Sequence, residues 1–162
     1  MAKTQFECFI RPAQHNDAEI IADIKISQDG SYHKLNSSFS RDAFVRDCCS
    51  DIPAFNTFIA EAENVFAGYA IFYWGYDVYK SARGVYLADL YVTKNFRRVG
   101  IGKQLVKEVT QFTKKNGGRW IFWSVLKKNK VARRFYKRLA PQLNDIVLHG
   151  VSDKSFDRLA NS

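Results

Sequence analysis

Short β-prone runs alternate along the chain with segments whose apolar residues recur at helical spacing. Strands are predicted at residues 6–11, 57–63, 66–76, 85–92 and 120–126, with a final one near 145–151. Helices are predicted at residues 15–27, 40–49, 103–116 and 130–139, with a short terminal helix at 155–160. Glu63-Asn64 is predicted to join two strands, and Asn116-Gly117-Gly118 is a typical helix end. Helices interleaved with strands predict an α/β fold with a mixed sheet.

Length and composition indicate one domain. A chain of 162 residues can bury a sizeable core, and we find no repeat, linker or low-complexity tract in it. We therefore expect a single domain over residues 1–162. No apolar run approaches the roughly 20 residues that span a bilayer, and the N-terminus lacks the apolar stretch of a signal peptide.

The three cysteines, Cys8, Cys48 and Cys49, carry no recognisable motif. They show neither metal-ligand spacing nor a disulfide framework. We therefore expect reduced thiols, a cytoplasmic location and no bound metal.

The formal net charge of +9 indicates an anionic ligand. A dense basic cluster is formed by Lys127, Lys128, Lys130, Arg133, Arg134, Lys137 and Arg138. Such patches bind nucleic acid, but no reading motif or aromatic platform accompanies this one. A strongly anionic small cofactor accounts for the charge as well, so nucleic acid is not expected to be a main partner.

The segment from Leu87 to Lys115 carries the most chemical information. It is predicted to form a strand, a basic turn of sequence Arg97-Arg98-Val99-Gly100-Ile101-Gly102, and the start of an amphipathic helix. Unpaired N–H groups and a partial positive charge at a helix start favour phosphate, and glycine lets an anion approach the backbone. The spacing matches neither a dinucleotide fold nor a P-loop. The turn therefore predicts a site for a diphosphate-bearing cofactor; an ordinary glycine turn before a helix is the alternative.

The R-x-x-G-x-G spacing resembles the acetyl-coenzyme A (acetyl-CoA) pyrophosphate loop of the GCN5-related N-acetyltransferase (GNAT) superfamily. Asn129, followed seven residues later by Tyr136, resembles its second signature, and Phe9-Ile10-Arg11-Pro12-Ala13 with Asp17 resembles its opening. The resemblance covers about residues 6–151. It implies six to seven mostly antiparallel strands, about four flanking helices, and acetyl-CoA as the acyl donor.

Two aromatic strands resemble more closely the spermidine/spermine (diamine) N-acetyltransferase branch. Residues 68–77 (GYAIFYWGYD) look like its third strand, which ends in Tyr-Asp, and residues 86–92 (YLADLYV) look like its next strand. The resemblance implies an acetyl-CoA-dependent N-acetyltransferase that acts on a primary amine of a small substrate. It also implies a homodimer.

The resemblance further implies roles for single residues. Tyr136 is the expected general acid on the departing thiolate, and Asp89, directly or through water, the expected general base. The backbone of Leu90 and Val92 is expected to pair with the pantetheine arm. Asn129 either fixes that arm or only caps its helix. The complete cofactor-binding set is Leu90, Tyr91, Val92, Arg97, Arg98, Val99, Gly100, Ile101, Gly102, Lys103, Asn129, Arg133 and Tyr136.

The expected acceptor site departs from the branch pattern. Ala88 replaces the strand glutamate of the diamine enzymes, and His33 replaces the second residue of a Tyr-Glu pair. The expected substrate-binding residues are Tyr32, His33, Asp77, Tyr79 and Asp89. Because a polyamine needs several carboxylates to offset its desolvation, the lost acids also favour a smaller or amino-acid-like amine.

The expected reaction is direct attack of the amine on acetyl-CoA in a ternary complex, with a polyamine-like or amino-acid-like acceptor. Two alternatives stay open. One is the same fold acting on peptide or protein amines. The other is a non-catalytic CoA-binding or RNA-associated module that lost its base with Ala88.

Overall fold

Five strands form one mixed sheet in the computed structural model, which describes residues 7–32 and 39–162. In the order β1-β2-β3-β4-β5 they are Cys8–Pro12, Asn56–Ala62, Val65–Asp77, Ala82–Val92 and Ile121–Phe122. The first four strands pair antiparallel, and β5 pairs parallel with β4. The predicted α/β fold with a mixed, mostly antiparallel sheet is confirmed.

Five α-helices lie in the described part of the chain. They are α1 (Ala18–Tyr32), α2 (Arg41–Cys48), α3 (Ile101–Lys115), α4 (Lys130–Tyr136) and α5 (Asp153–Ala160). Short 3-10 turns cover His15–Asp17 and Lys94–Phe96. Within residues 7–32 and 39–162, no helix has the length and apolar character needed to cross a membrane.

The helices and strands differ from the prediction mainly towards the C-terminus. The final strand expected near 145–151 is wrong: every residue from 141 to 151 is exposed and none is in a strand. Strand propensity is expressed only where a segment finds a pairing edge and buries one face, and this segment does neither. The strand expected at 120–126 shrinks to Ile121–Phe122. The sheet therefore has five described strands where the resemblance implies six to seven, and five helices are described where it implies about four.

The chain divides into two compact units, the first ending at Ser124 and the second beginning at Val125. The first unit holds the whole sheet with α1, α2 and α3. The second holds α4 and α5. A single domain over residues 1–162 stays a prediction.

Helices cover both faces of the sheet, each over its own apolar cluster. On one face, Ala18 and Ile21 of α1 and Phe44 of α2 pack with Ile59 and Tyr69 of the sheet. On the other face, Phe112 of α3 contacts Phe58 and Phe72, with ring centroids 5.6 and 5.5 Å apart. Because successive side chains of a strand point to opposite faces, β2 and β3 each contribute side chains to both clusters.

Strand β4 contains one residue more than the part of β3 that it pairs with. Ile71 lies opposite Asp89 and the next residue, Phe72, lies opposite Leu87, so Ala88 is a β-bulge. Leu87 is buried opposite Phe72 of the α3 face, whereas Asp89 contacts Tyr69 of the α1 face. The bulge therefore switches the face to which β4 turns its side chains.

Trp120 fixes the place where β5 joins β4. Its indole ring lies against Gly75 and Gly84, where a Cβ atom would collide with it, and its Nε1 donates to the Ala82 carbonyl at 2.9 Å. The strand pairing that follows comprises Val85 with Ile121 and Tyr86 with Phe122. β5 thus pairs with β4 before the bulge.

A three-residue ion cluster ties β1 to the chain before α1 and to β2. Arg11 donates to Asp17 at 2.7 and 2.9 Å and to Glu61 at 2.7 and 2.9 Å. The Asp17 side chain is only 8% exposed. Burial by itself raises the pKa of Asp17, but hydrogen bonds from Arg11 and from the Gln14 amide outweigh it and leave the pKa lowered.

We expect Arg11→Met to lower the free energy of unfolding by about 2–3 kcal/mol at pH 7, because it leaves a buried carboxylate without its cation. Arg46→Met removes a similar Arg–Asp pair in which Arg46 is 72% exposed, and we expect a much smaller loss. Urea unfolding of both variants measures the difference.

The loss of stability caused by Arg11→Met should also depend on pH. Since the folded pKa of Asp17 lies below its ordinary value of 3.8, its stabilising contribution is present above that pH and is lost as the pH falls. The gap between the parent and Arg11→Met should therefore narrow below pH 4. Equal losses in the two arginine variants would contradict this account of the cluster.

Candidate active site

The outer edge of β4 after the bulge directs two backbone amides away from β3. The Thr93 N–H donates to the Ala67 carbonyl at 2.9 Å, so Thr93 faces β3. Because successive residues of a strand point their amides to opposite sides, Tyr91 also faces β3, whereas Leu90 and Val92 face outward. Arg97 supports this assignment, since its Nε donates to the Val92 carbonyl at 2.9 Å. Both outward residues lie beyond the last pair that β4 makes with β5.

The turn before α3 is open and basic, as the sequence predicts. Gly100 has φ +102° at the N-cap, a left-handed conformation that glycine adopts readily, and no atom lies within 4 Å of the position of a Cβ. The Gln104 N–H donates to the Gly100 carbonyl and begins the ladder of the helix. The N–H groups of Ile101, Gly102 and Lys103 therefore precede that ladder, at the positive end of the helix.

The cations of the turn have different surroundings. Arg97 is bound to β4 through the Val92 carbonyl, and its guanidinium lies 5.9 Å from the centre of the Tyr91 ring. Arg98, Val99 and Lys103 are exposed. These groups fit a diphosphate-bearing cofactor: helix N–H groups and cations suit the phosphates, and the outward amides of β4 suit an amide-containing arm.

Asp89 comes directly before Leu90 on the outer edge of β4. One of its carboxylate oxygens is contacted by two donor groups. Tyr69 Oη donates to Asp89 Oδ2 at 2.7 Å, and Lys25 Nζ lies 2.6 Å from the same atom. Tyr69 is fully buried, and burial together with the Asp89 carboxylate raises its pKa. The phenol therefore stays protonated and acts as a donor. Asp89 itself is partly exposed, with 27% of its side chain accessible.

Two of the other expected acceptor residues, Asp77 and Tyr79, lie away from Asp89. Asp77 accepts the N–H groups of Tyr79 and Lys80, each at 3.0 Å, at the tip of the β3–β4 hairpin. That tip is six residues along β3 from the partner of Asp89, or roughly 20 Å. The structure does not bring Asp77 and Tyr79 together with Asp89. Tyr32 ends α1, with its side chain outside the description, and His33 lies outside the described residues.

In the second unit, Asn129 and Tyr136 mark the two ends of α4. Asn129 accepts the Ala132 N–H at 3.1 Å and so caps the helix, as one of its two expected roles requires. Tyr136 is the last helical residue and is half-buried, with its ring 4.9 Å from that of Phe135. Arg133 is exposed and donates to the Lys127 carbonyl at 3.3 Å.

Burial raises the pKa of all three cysteine thiols. All three are free, and burial raises the pKa of Cys48 to about 11. A thiol with that pKa is protonated at neutral pH and is a poor nucleophile. The structure thus gives Cys48 a packing role.

Sequence reasoning missed Lys25 and Tyr69. Lys25 follows Ile24 within α1, and Tyr69 lies in an aromatic run, so both positions are typical of ordinary packing. Their meeting at Asp89 depends on the bulge in β4 and on the position of α1 over the sheet. Neither is visible in the spacing of residues along the chain.

Comparison with known proteins agrees with this geometry. Residues 21–140 match the model of the acetyltransferase (GNAT) family. The chain is 29% identical over 143 residues to thialysine N-epsilon-acetyltransferase of Bos taurus, covering 82% of this chain and 83% of that protein.

Solved structures show the same fold. An integron cassette protein of V. cholerae superposes with a TM-score of 0.78 at 19% identity, covering 96% of this chain and 98% of the other. An aminoglycoside N-acetyltransferase in complex with CoA superposes with a TM-score of 0.74 at 18% identity, covering 94% and 99%. The GNAT family uses acetyl-CoA, for which the turn before α3 and the edge of β4 offer fitting groups. The chain therefore belongs to the acetyltransferase (GNAT) family and is an N-acetyltransferase that uses acetyl-CoA.

Proposed function

We propose that this N-acetyltransferase acts on the primary side-chain amine of a small, amino-acid-like acceptor by direct attack in a ternary complex. The observation that carries the proposal is the position of Asp89, one residue before the outward-facing amides of β4. Arg97 connects the end of that strand to the turn before α3. Donor and acceptor sites then share one strand, and that arrangement brings amine and thioester together without a covalent enzyme intermediate.

On the donor side, acetyl-CoA supplies the acetyl thioester. The N–H groups of residues 101–103 hold the diphosphate, with Arg98 and Lys103 adding positive charge. Leu90 and Val92 pair through their backbone with the pantetheine arm. One of their N–H groups polarises the thioester carbonyl.

On the acceptor side, the amine must lose a proton, because an alkylamine with a pKa near ~10 is protonated at neutral pH. Asp89 takes that proton, directly or through water. The amine nitrogen then forms the new bond to the acetyl carbon as the carbon–sulfur bond breaks. Tyr136 donates a proton to the leaving sulfur, and Asn129 fixes the start of its helix.

Two findings support an amino-acid-like acceptor over a polyamine. The similar Bos taurus protein is named for acetylation of thialysine, an amino acid. Ala88 at the bulge is exposed and carries no charge, so the site offers a polycation one carboxylate fewer than the diamine pattern. Contacts of Tyr32, His33, Asp77 and Tyr79 with the substrate stay predictions.

A homodimer, which the resemblance implies, and a cytoplasmic location, which the free cysteines favour, also belong to the proposal. The second unit exposes Ile146, Val147 and Leu148, apolar side chains that a partner would cover. The molar mass of the protein in solution tests the homodimer.

We expect Tyr136→Phe to lower kcat by about a hundredfold with little change in KM, because it removes the acid and leaves the ring. Release of free thiol from acetyl-CoA measures the rate with thialysine, lysine, ornithine, putrescine, spermidine and short peptides. Tyr76→Phe is the matched control, since Tyr76 is exposed near the tip of the β3–β4 hairpin and should keep the parent rate.

Three outcomes would count against the proposal. Turnover by Tyr136→Phe at the parent rate would remove Tyr136 from the reaction. A parent protein that binds acetyl-CoA but acetylates no amine in the panel would favour a binding module, and turnover with peptides alone would favour a peptide acceptor.

We expect Gly100→Ala to weaken binding of CoA at least tenfold, because a side chain at the left-handed N-cap shifts the N–H groups that follow it. Gly117→Ala is the matched control: Gly117 also has positive φ, +79°, and open space around its Cβ position, but it lies after α3. Each substitution should cost roughly 1–2 kcal/mol of stability. Calorimetry with CoA and thermal unfolding separate the two effects, and equal loss of affinity in both variants would contradict the assigned phosphate site.

A further inference from the structure

Asp89 already has a cation beside it before any substrate arrives. The Lys25 Nζ atom reaches Asp89 Oδ2 at 2.6 Å from α1, and the buried Tyr69 donates to the same oxygen. Both charged side chains are about a quarter exposed, at 26% and 27%, so the pair is accessible from solvent. The structure therefore contains an accessible ion pair at the position where the acceptor amine is expected.

This pair changes the charge that an incoming acceptor meets. The carboxylate of Asp89 and the ammonium of Lys25 sum to zero, and Ala88 next to them carries no charge. A diamine brings two positive charges and must displace Lys25 without offering it another partner. An amino acid with a side-chain amine brings a carboxylate as well, so that its amine can replace Lys25 on Asp89 while Lys25 takes its carboxylate.

Building on the proposed function, we infer that Lys25 is a specificity-determining residue, which selects acceptors that carry a carboxylate over the matching diamines. In the free protein, the Lys25 ammonium pairs with the Asp89 carboxylate. In the complex, one internal ion pair is exchanged for two pairs with the substrate, Asp89 with the amine and Lys25 with the carboxylate. Tyr69 positions Asp89 during this exchange, because its bond to Oδ2 comes from the buried side of the sheet.

The test compares acceptors that differ by one carboxylate: ornithine with putrescine, and lysine with cadaverine. The parent should show a higher kcat/KM for the amino acid in each pair. Lys25→Met removes the charge and keeps an apolar stem, and it should lower the ratio of amino acid to diamine at least tenfold. The fall should come from a higher KM for the amino acid and a lower KM for the diamine. Lys25→Arg keeps the charge and should preserve the direction of the preference.

Two further variants separate recognition from other effects. Lys107→Met also removes one positive charge, but from an exposed position of α3, and should leave the ratio unchanged. Lys25→Gln replaces the ammonium with an uncharged group that can still donate a hydrogen bond to Asp89. Thermal unfolding checks that each variant is folded. If Lys25 only held Asp89 in place, kcat would fall for all acceptors together and the ratios would stay at the parent value.

The possible failures are distinguishable. A parent protein without turnover on any amine would contradict the proposed function itself. A parent that acetylates these amines, with ratios that stay the same in Lys25→Met, would overturn the role of Lys25 and leave the proposed function intact. A parent that prefers the diamines would also overturn it.

Discussion

The additional residue in β4 is the feature on which the candidate site depends. With Ala88 as a bulge, Leu87 packs towards α3 while Asp89 turns to the opposite face and meets Tyr69. The bulge also lies between two parts of β4. The part before it pairs with β5, and the part after it carries the outward-facing amides of Leu90 and Val92. A regular strand would place the carboxylate on the α3 face, away from Tyr69. The bulge thus sets the position of the acid beside the exposed edge of β4.

The first unit contains two candidate sites that differ in net charge. The turn before α3 gathers helix N–H groups and cations without a matching carboxylate among its own residues, which suits a diphosphate. At Asp89 the charges are balanced, because Lys25 lies 2.6 Å from the carboxylate. Under the proposed function, a chain with a net charge of +9 therefore has a neutral acceptor site beside a positive donor site. This contrast is the basis for our proposal that the protein prefers an acceptor with both charges to one with positive charge alone.

Local signals made part of this structure predictable. The turn at Glu63-Asn64, where both residues have positive φ, the stop of α3 near Gly117 and the glycine turn at Gly100 all follow from the properties of single residues. The bulge at Ala88 and the meeting of Lys25 with Asp89 depend on strand register and helix placement, which no local pattern encodes. The strand expected at 145–151 failed for the related reason that β-prone composition alone does not supply a pairing edge. The same limit applies to Asp77: the sequence put it in a familiar motif, but the hairpin geometry uses its carboxylate to cap a turn.

Amide hydrogen exchange read by NMR, with and without CoA, is the most direct test of a cofactor site on the outer edge of β4. If the cofactor arm lies along the outer edge of β4, the amides of Leu90 and Val92 should exchange more slowly once CoA is bound. Tyr91, which already faces β3, should change little, so that protection alternates along three successive residues. Uniform protection of all three, or protection of none of them while CoA is bound, would contradict a cofactor site on this edge.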